Sequence, residues 1–241
     1  MEGHSMRLIL CDIDGTLVNH HGGIDDNLIP ALRKVMKSSR VGLISGRDAS
    51  SCLGIYRVLD LNGLVVAEHG SHVLVEPEKD DYLGIINGYD AKRKAEIWKK
   101  VEKLACIDKA KLYMVTLYLE GHPLNVLSEY RALAEKVRMI LPEEDVLATP
   151  SGVDILKRGV SKATGMKMVL DHFRIKPSEV MFLVDSWGDL DAAKWLSENG
   201  GKVGVVNSDD KELLDEMRKL NSIFAKKKHS AGAAELLEKL G

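Results

Sequence analysis

Apolar runs that stop abruptly on polar residues recur along this chain. Leu8-Ile9-Leu10-Cys11 runs into Asp12-Ile13-Asp14-Gly15-Thr16-Leu17. A short apolar run bounded by a turn signal predicts a strand buried on both faces. The pattern returns at 41–44, which end on Ser45-Gly46-Arg47-Asp48, and at 64–67, which lead into Glu68-His69-Gly70. It returns again at 180–184, running into Asp185-Ser186-Trp187-Gly188-Asp189, and 202–206 predict a fifth strand. Helical spacing fills the gaps. Residues 27–36 carry it, and Ser161 is the expected N-cap of a helix that places Met166, Val169, Leu170 and Phe173 at i, i+3, i+4 and i+7, with Lys162 in its first turn.

Alternation of this kind predicts an α/β fold, a Rossmann-like parallel sheet with helices on both faces. Residues 81–155 break the rhythm. Ile97, Val101 and Leu104 predict one amphipathic helix, and Leu127, Tyr130, Ala134, Val137 and Leu141 a second. A strand is expected over 112–119, and shorter ones over 146–148 and 153–156. The expected division is a core of 6–80 and 156–241 with a smaller α+β insertion, 81–155, about half a typical domain in size.

Composition narrows the class. The chain has 241 residues, 45% hydrophobic and 29% charged, with a formal net charge of -2, an ordinary globular balance that favours neither nucleic acid nor an anionic membrane. Lys226-Lys227-Lys228 is expected on a solvated surface. Cys11, Cys52 and Cys106 are widely spaced and predict neither a disulfide framework nor a zinc site, so a reducing cytoplasm is expected. No apolar stretch reaches the roughly 18 residues that span a bilayer. Residues 1–5 read as an expression remnant outside the fold, and composition leaves the oligomeric state open.

The strand ends carry the candidate chemistry. In an extended segment Asp12 and Asp14 leave the same face and aim at one point. Crowded carboxylates call for a cation or a shared proton, although a solvated Asp-Gly turn accommodates the same residues. A calcium loop starting at Asp12 fails, because its sixth and twelfth positions are Leu17 and Gly23. Asp12, Asp14, Ser45, Lys162, Asp185 and Asp189 all belong to strand ends or helix starts expected at one sheet edge. Carboxylate oxygens suit Mg²⁺, and a lysine and a serine there suit a phosphoryl group.

These residues resemble the four motifs of the haloacid dehalogenase superfamily: Asp12-Ile13-Asp14-Gly15-Thr16, Leu43-Ile44-Ser45-Gly46-Arg47, Lys162 within Gly159-Val160-Ser161-Lys162, and Asp185-Ser186-Trp187-Gly188-Asp189. They occur in the family's order and span essentially the whole chain. An insertion between the second and third motifs resembles the branch with an α/β cap, which includes trehalose-phosphate, sucrose-phosphate and phosphoglycolate phosphatases and phosphomannomutases. The resemblance implies a Mg²⁺-dependent phosphatase of a small phosphorylated metabolite, with Asp12 as nucleophile and Asp14 as acid and base. It implies Asp12, the Asp14 carbonyl and Asp185 as metal ligands, with Asp189 a ligand or the group that orients one, and Ser45, Gly46 and Lys162 around the phosphoryl oxygens.

Arg47 and the Glu68-His69-Gly70 turn resemble sugar-phosphate phosphatases of the trehalose type, making Arg47 and His69 candidate substrate contacts; purely structural roles fit both equally. The chain departs from the family in having Val184 and Gly188 where relatives have Gly and often Asn. Trp187 is expected as a packing residue, and His20 and His21 on a solvated flap. A phosphomutase of the same superfamily and a non-catalytic phosphometabolite-binding protein are the alternatives.

Overall fold

The computed structural model describes residues 6–19, 22–75, 84–121 and 126–240, so the expectations for residues 1–5, His20 and His21 lie outside them. In chain order the elements are β1 (Leu8–Cys11), α1 (Leu28–Val35), β2 (Arg40–Ile44), α2 (Ala49–Val58), β3 (Val65–Ala67), β4 (His72–Leu74), β5 (Gly84–Ile86), α3 (Ala91–Val101), β6 (Cys106–Ile107) and β7 (Val115–Tyr118). There follow α4 (Leu127–Ile140), β8 (Asp145–Thr149), β9 (Gly152–Leu156), α5 (Lys162–Phe173), β10 (Val180–Val184), α6 (Leu190–Glu198), β11 (Lys202–Asn207), α7 (Lys211–Arg218), β12 (Ser222–Lys228) and α8 (His229–Glu238).

Eight strands form one sheet in the order β12-β11-β10-β1-β2-β3-β4-β5. Its first six strands are parallel, and β4 and β5 add an antiparallel edge. β1 lies near the middle, and all four of its residues are buried. Helices cover both faces, as the continuous apolar strands require. Ile9, Cys11, Leu32, Leu53 and Leu237 belong to the core on one face, and Leu10, Met166, Val169, Phe182 and Leu196 to the core on the other. Each large apolar side chain buried in this way contributes about 1.5–3 kcal/mol.

The insertion has its own four-stranded antiparallel sheet, β6-β7-β9-β8, and its own apolar core, in which Ile97 and Val101 of α3 meet Tyr130, Ala134 and Val137 of α4. Two details differ from the sequence expectation. Gly84–Ile86, expected in the insertion, pairs with β4 as the edge of the large sheet. The strand expected over 112–119 starts only at Val115, because the backbone N–H groups of Leu112 and Tyr113 are bonded to Glu68 instead of a neighbouring strand. Lys226, Lys227 and Lys228 end β12 and are exposed, as expected. Among the described residues no helix is long and apolar enough to cross a membrane.

α5 is placed with little tolerance. The Ser161 and Thr164 side chains form a reciprocal capping box at its start. Its first turn packs against the 3₁₀ turn Glu68–Gly70, and a Cβ on Gly70 would lie 2.3 Å from the Ser161 carbonyl oxygen. Gly70 also has φ +92°, which L side chains rarely adopt. Gly70→Ala should therefore cost roughly 3 kcal/mol or more by combining strain with overpacking. Urea unfolding monitored by circular dichroism measures this; a loss below about 1 kcal/mol would contradict the close approach.

Candidate active site

The parallel strands β1, β2 and β10 deliver their C-terminal ends to one edge of the sheet, where α5 also begins. Ligands bind at that edge in open α/β sheets. Lys162 is the hub. Its Nζ donates to Asp12 Oδ1 at 2.6 Å and to Asp189 Oδ1 at 2.6 Å, and all three residues are buried. Burial alone would depress the ammonium's pKa, but Asp12 and Asp189 overcome it and push it up.

The carboxylates feel the opposite imbalance. Burial raises Asp12 to about 7; Lys162 opposes the rise, and Asp189 and Asp14 add to it. Asp185 is pushed up to about 9, chiefly by burial and then by Asp12 and Asp189, while a hydrogen bond from Thr16 Oγ1 at 2.9 Å works the other way. Asp189 is oriented by Ser186, whose hydroxyl and backbone N–H donate to Oδ2 at 2.8 and 3.2 Å. Asp12, Asp185 and Asp189 bring one carboxylate oxygen each within 4.8 Å of one another. Three close carboxylates around a single ammonium leave an excess of negative charge on hard oxygen donors. This donor set fits Mg²⁺.

Asp14 stands apart. The expectation that Asp12 and Asp14 aim at one point assumed that the strand continues, but β1 ends at Cys11 and the chain turns through Ile13 to Gly15, where φ is +83°. Asp12 consequently points inward, whereas the Asp14 carboxylate is about half exposed and accepts from Arg47 Nε at 2.7 Å and Nη2 at 2.6 Å. Arg47 thus grips Asp14 as a two-pronged pair. Ser45 is buried at the end of β2, and its Oγ accepts from the Arg47 backbone N–H at 3.2 Å.

The remaining sequence candidates sit where the insertion meets the core. His69 has φ +54° and packs so closely on Gly46 that a Cβ there would lie 2.3 Å from its Nε2. The same Nε2 is 3.0 Å from Asp154 Oδ2 of β9, and Thr116 Oγ1 of β7 donates to Asp154 Oδ1 at 2.6 Å. Burial would raise Asp154, but the hydrogen bond and charge of His69 hold it below the usual range. Glu68, fully buried, accepts from the N–H groups of Leu112 and Tyr113, each at 2.8 Å; burial still raises its pKa against those bonds. Lys111 Nζ donates to the Gly46 carbonyl at 2.6 Å.

A cleft of about 710 Å³ opens beside Lys162, between α5 and α6 on one side and α4 and β8 on the other. Arg138, Glu144, Asp145, Trp187 and Asp191 help to line it. Trp187 corrects its expectation as a packing residue. It is 47% exposed, and its indole N–H donates to Asp210 at 2.7 Å, which holds the ring at the cleft wall. The sequence reading assigned no role to Thr16 and Ser186, although both lie inside the motifs. It also missed Lys111, Thr116 and Asp154, whose only signal was their place in or beside expected strands of the insertion.

Comparison with known proteins agrees with this architecture. The model of the haloacid dehalogenase-like hydrolase family matches residues 9–119. A phosphoglycolate phosphatase of Haloarcula marismortui is 26% identical, covering 85% of this chain and 86% of its own length. An Arabidopsis thaliana protein named chloroplastic endoribonuclease YBEY is 23% identical over 87% of this chain, but the chain spans only 47% of that protein's length. A solved Thermoplasma acidophilum structure superposes with a TM-score of 0.75 at 14% identity, covering 98% of this chain and 99% of the other. The sucrose-phosphatase of Synechocystis, solved with sucrose and phosphate, gives 0.66 at 16% identity, with 98% of each chain covered. At such identities the structural likeness speaks to the fold, while the family match falls on the segment that carries Asp12, Asp14 and Ser45. Residues 9–119 are thus similar to the haloacid dehalogenase-like hydrolases and most of the chain to phosphoglycolate phosphatases, and the protein is an enzyme of the phosphatase class.

Proposed function

We propose that this enzyme is a Mg²⁺-dependent phosphatase that hydrolyses a small phosphorylated metabolite, of the sugar phosphate or phosphoglycolate type, through an aspartyl-phosphate. The observation that carries this reading is the buried Lys162 ammonium joined to Asp12 and Asp189 at the strand ends. A carboxylate could not face a phosphoryl dianion productively without positive charge beside it. Asp12, the Asp14 carbonyl, Asp185 and Asp189 would hold the metal, which when bound would neutralise charge on the transferring group.

In the first step an Asp12 carboxylate oxygen forms a bond to phosphorus in line with the leaving oxygen, whose bond breaks with its electron pair. Lys162 fixes Asp12 through Oδ1, and Ser45 and the Gly46 loop would hold the phosphoryl oxygens. Asp14, protonated for this step, gives its proton to the leaving oxygen, which departs as the alcohol. It then takes a proton from water as that water attacks the aspartyl-phosphate, releasing inorganic phosphate and restoring Asp12. Arg47 holds Asp14 beside the site in the free protein, and reorientation on substrate binding would bring the acid to the leaving group. The insertion, about 87–155, would cover the site and select the leaving group, with the Trp187 cleft as space for it. A cytoplasmic location accords with three free cysteines, two of them buried.

Asp12→Asn should lower turnover of p-nitrophenyl phosphate by at least about a thousandfold. The melting temperature should stay within a few degrees of wild type, since burial already disfavours the Asp12 charge. Near-full activity in this variant would sink the nucleophile assignment. Release of phosphate from a panel of metabolites should depend on Mg²⁺, vanish with EDTA and return with added Mg²⁺. Activity unaffected by EDTA would remove the metal from the scheme, and isomerised sugar without free phosphate would make the enzyme a mutase.

A further inference from the structure

Three consecutive carbonyls of the loop after β2 are each engaged by a donor from the Glu68–Gly70 turn or the insertion, and the Arg47 carbonyl also by Cys52 Sγ of α2 at 3.7 Å. Ser45 O accepts from the His69 backbone N–H at 3.0 Å, Arg47 O from the Glu68 backbone N–H at 2.9 Å, and the Gly46 carbonyl between them from Lys111 Nζ at 2.6 Å. Each peptide is trans, because no described bond is cis. In a trans peptide the N–H points opposite to the C=O of the same plane. Holding each carbonyl on its donor therefore turns the N–H of the same peptide, that of Gly46, Arg47 or Asp48, away from that donor. The Arg47 N–H accordingly reaches Ser45 Oγ at 3.2 Å. Since that hydroxyl oxygen accepts from the backbone, its own proton is left to donate outward. Successive N–H groups turned to one side form a cradle for an anion.

Two of the three donors are backbone groups of the core's own turn, but the middle one is a side chain from the insertion. Lys111 is 7% exposed, and its own carbonyl is gripped by Lys94 of α3. Its charge acts on the buried carboxylates Glu68 and Asp154, which flank the joint, and on Asp48 at the start of α2. Without Lys111 the Gly46–Arg47 peptide keeps one tether among the described residues, the bond from the Arg47 N–H to Ser45 Oγ. Rotation of that peptide would turn its carbonyl dipole toward the phosphoryl group and withdraw both the Arg47 N–H and the orientation of the Ser45 hydroxyl.

We propose that Lys111 is a positioning residue for the phosphoryl site: the insertion supplies the cation that sets the polarity of the Ser45-Gly46-Arg47 loop, so docking of the insertion and binding of phosphate are coupled. This rests on the phosphatase reading above. Lys111 does not touch the substrate in this scheme; it acts through the Gly46 peptide.

The test compares Lys111→Met, Lys111→Arg and Thr116→Val with wild type. The measurements are kcat and KM for p-nitrophenyl phosphate, the inhibition constant of inorganic phosphate, and the melting temperature with and without phosphate. Thr116→Val removes a bond that supports Asp154, the residue that holds His69 across the joint, while leaving the bond from Lys111 to the Gly46 carbonyl in place. Lys111→Met should raise both KM and the phosphate inhibition constant about tenfold, the size expected for a lost charge-assisted hydrogen bond. Lys111→Arg should recover most of the loss, because a guanidinium can also donate to the Gly46 carbonyl. Thr116→Val should lower the melting temperature and leave the phosphate inhibition constant within about twofold. If Lys111→Met matches wild type in KM and phosphate inhibition, or if Thr116→Val weakens phosphate as much as Lys111→Met does, Lys111 merely docks the insertion and the proposal is overturned. Should Lys111→Met not fold, failure of Lys111→Arg to retain near-wild-type phosphate inhibition would overturn it as well. A wild-type protein that releases no phosphate and is not protected by it would overturn the phosphatase reading and this inference together.

Discussion

A buried ammonium with two buried carboxylates constrains everything around it. Lys162 has lost its water and must recover the cost from partners that stand at hydrogen-bond distance, here Asp12 and Asp189, both at 2.6 Å. Those partners come from the ends of β1 and from the turn after β10, so α5 must begin within one side-chain length of two neighbouring strands. The capping box at Ser161, the absence of a side chain on Gly70 and the facing Gly165 all serve that approach: a Cβ on Gly165 would lie 2.7 Å from the Gly70 Cα. The fold pays for one cation in the precision of a helix start.

The same turn faces the insertion. Glu68 and His69 both have positive φ, at +51° and +54°, a conformation costing roughly 1–3 kcal/mol per residue unless the surroundings enforce it. Here they do. The backbone N–H groups of these residues bond to the loop after β2, their side chains bond to Leu112, Tyr113 and Asp154, and Gly70 lies against α5. One strained turn therefore reads three things at once: the phosphate loop, the helix that carries Lys162, and the position of the insertion.

Much of this could be read in the sequence because it follows from local rules. The strands β1, β2, β3, β10 and β11 announced themselves as apolar runs ending on polar residues, and α5 through its N-cap and spacing, so the edge that gathers Asp12, Ser45, Lys162, Asp185 and Asp189 was foreseen. The direction of Asp14 was not. Period-two alternation holds only while the chain stays extended, and the turn at Ile13 to Gly15 decides where the second carboxylate goes. Nor was the partnership of Lys111 with Gly46, because the two lie 65 positions apart and meet only when two separately folded sheets dock. Trp187 was misread for the same reason: a lone aromatic between two acids carries no sign of whether another element covers it.

Polar docking also explains why the predicted strand over 112–119 is cut short. Each sheet has its own apolar core, so the joint between them depends on directional bonds, which specify one relative placement where an apolar contact would allow sliding. To make those bonds, Lys111, Leu112 and Tyr113 must point an ammonium and two N–H groups at the Glu68–Gly70 turn and the Gly46 carbonyl. A residue engaged that way cannot also ladder with β6 or β9. The apolar, β-prone character of Leu112 to Met114 favours extension, yet Glu68 is buried and its two carboxylate oxygens have no other described partners than those N–H groups. Leaving that carboxylate unbonded would cost more than the few tenths to about 1 kcal/mol that strand pairing of such residues returns. Tertiary electrostatics therefore override local propensity at the segment where the insertion meets the phosphate loop.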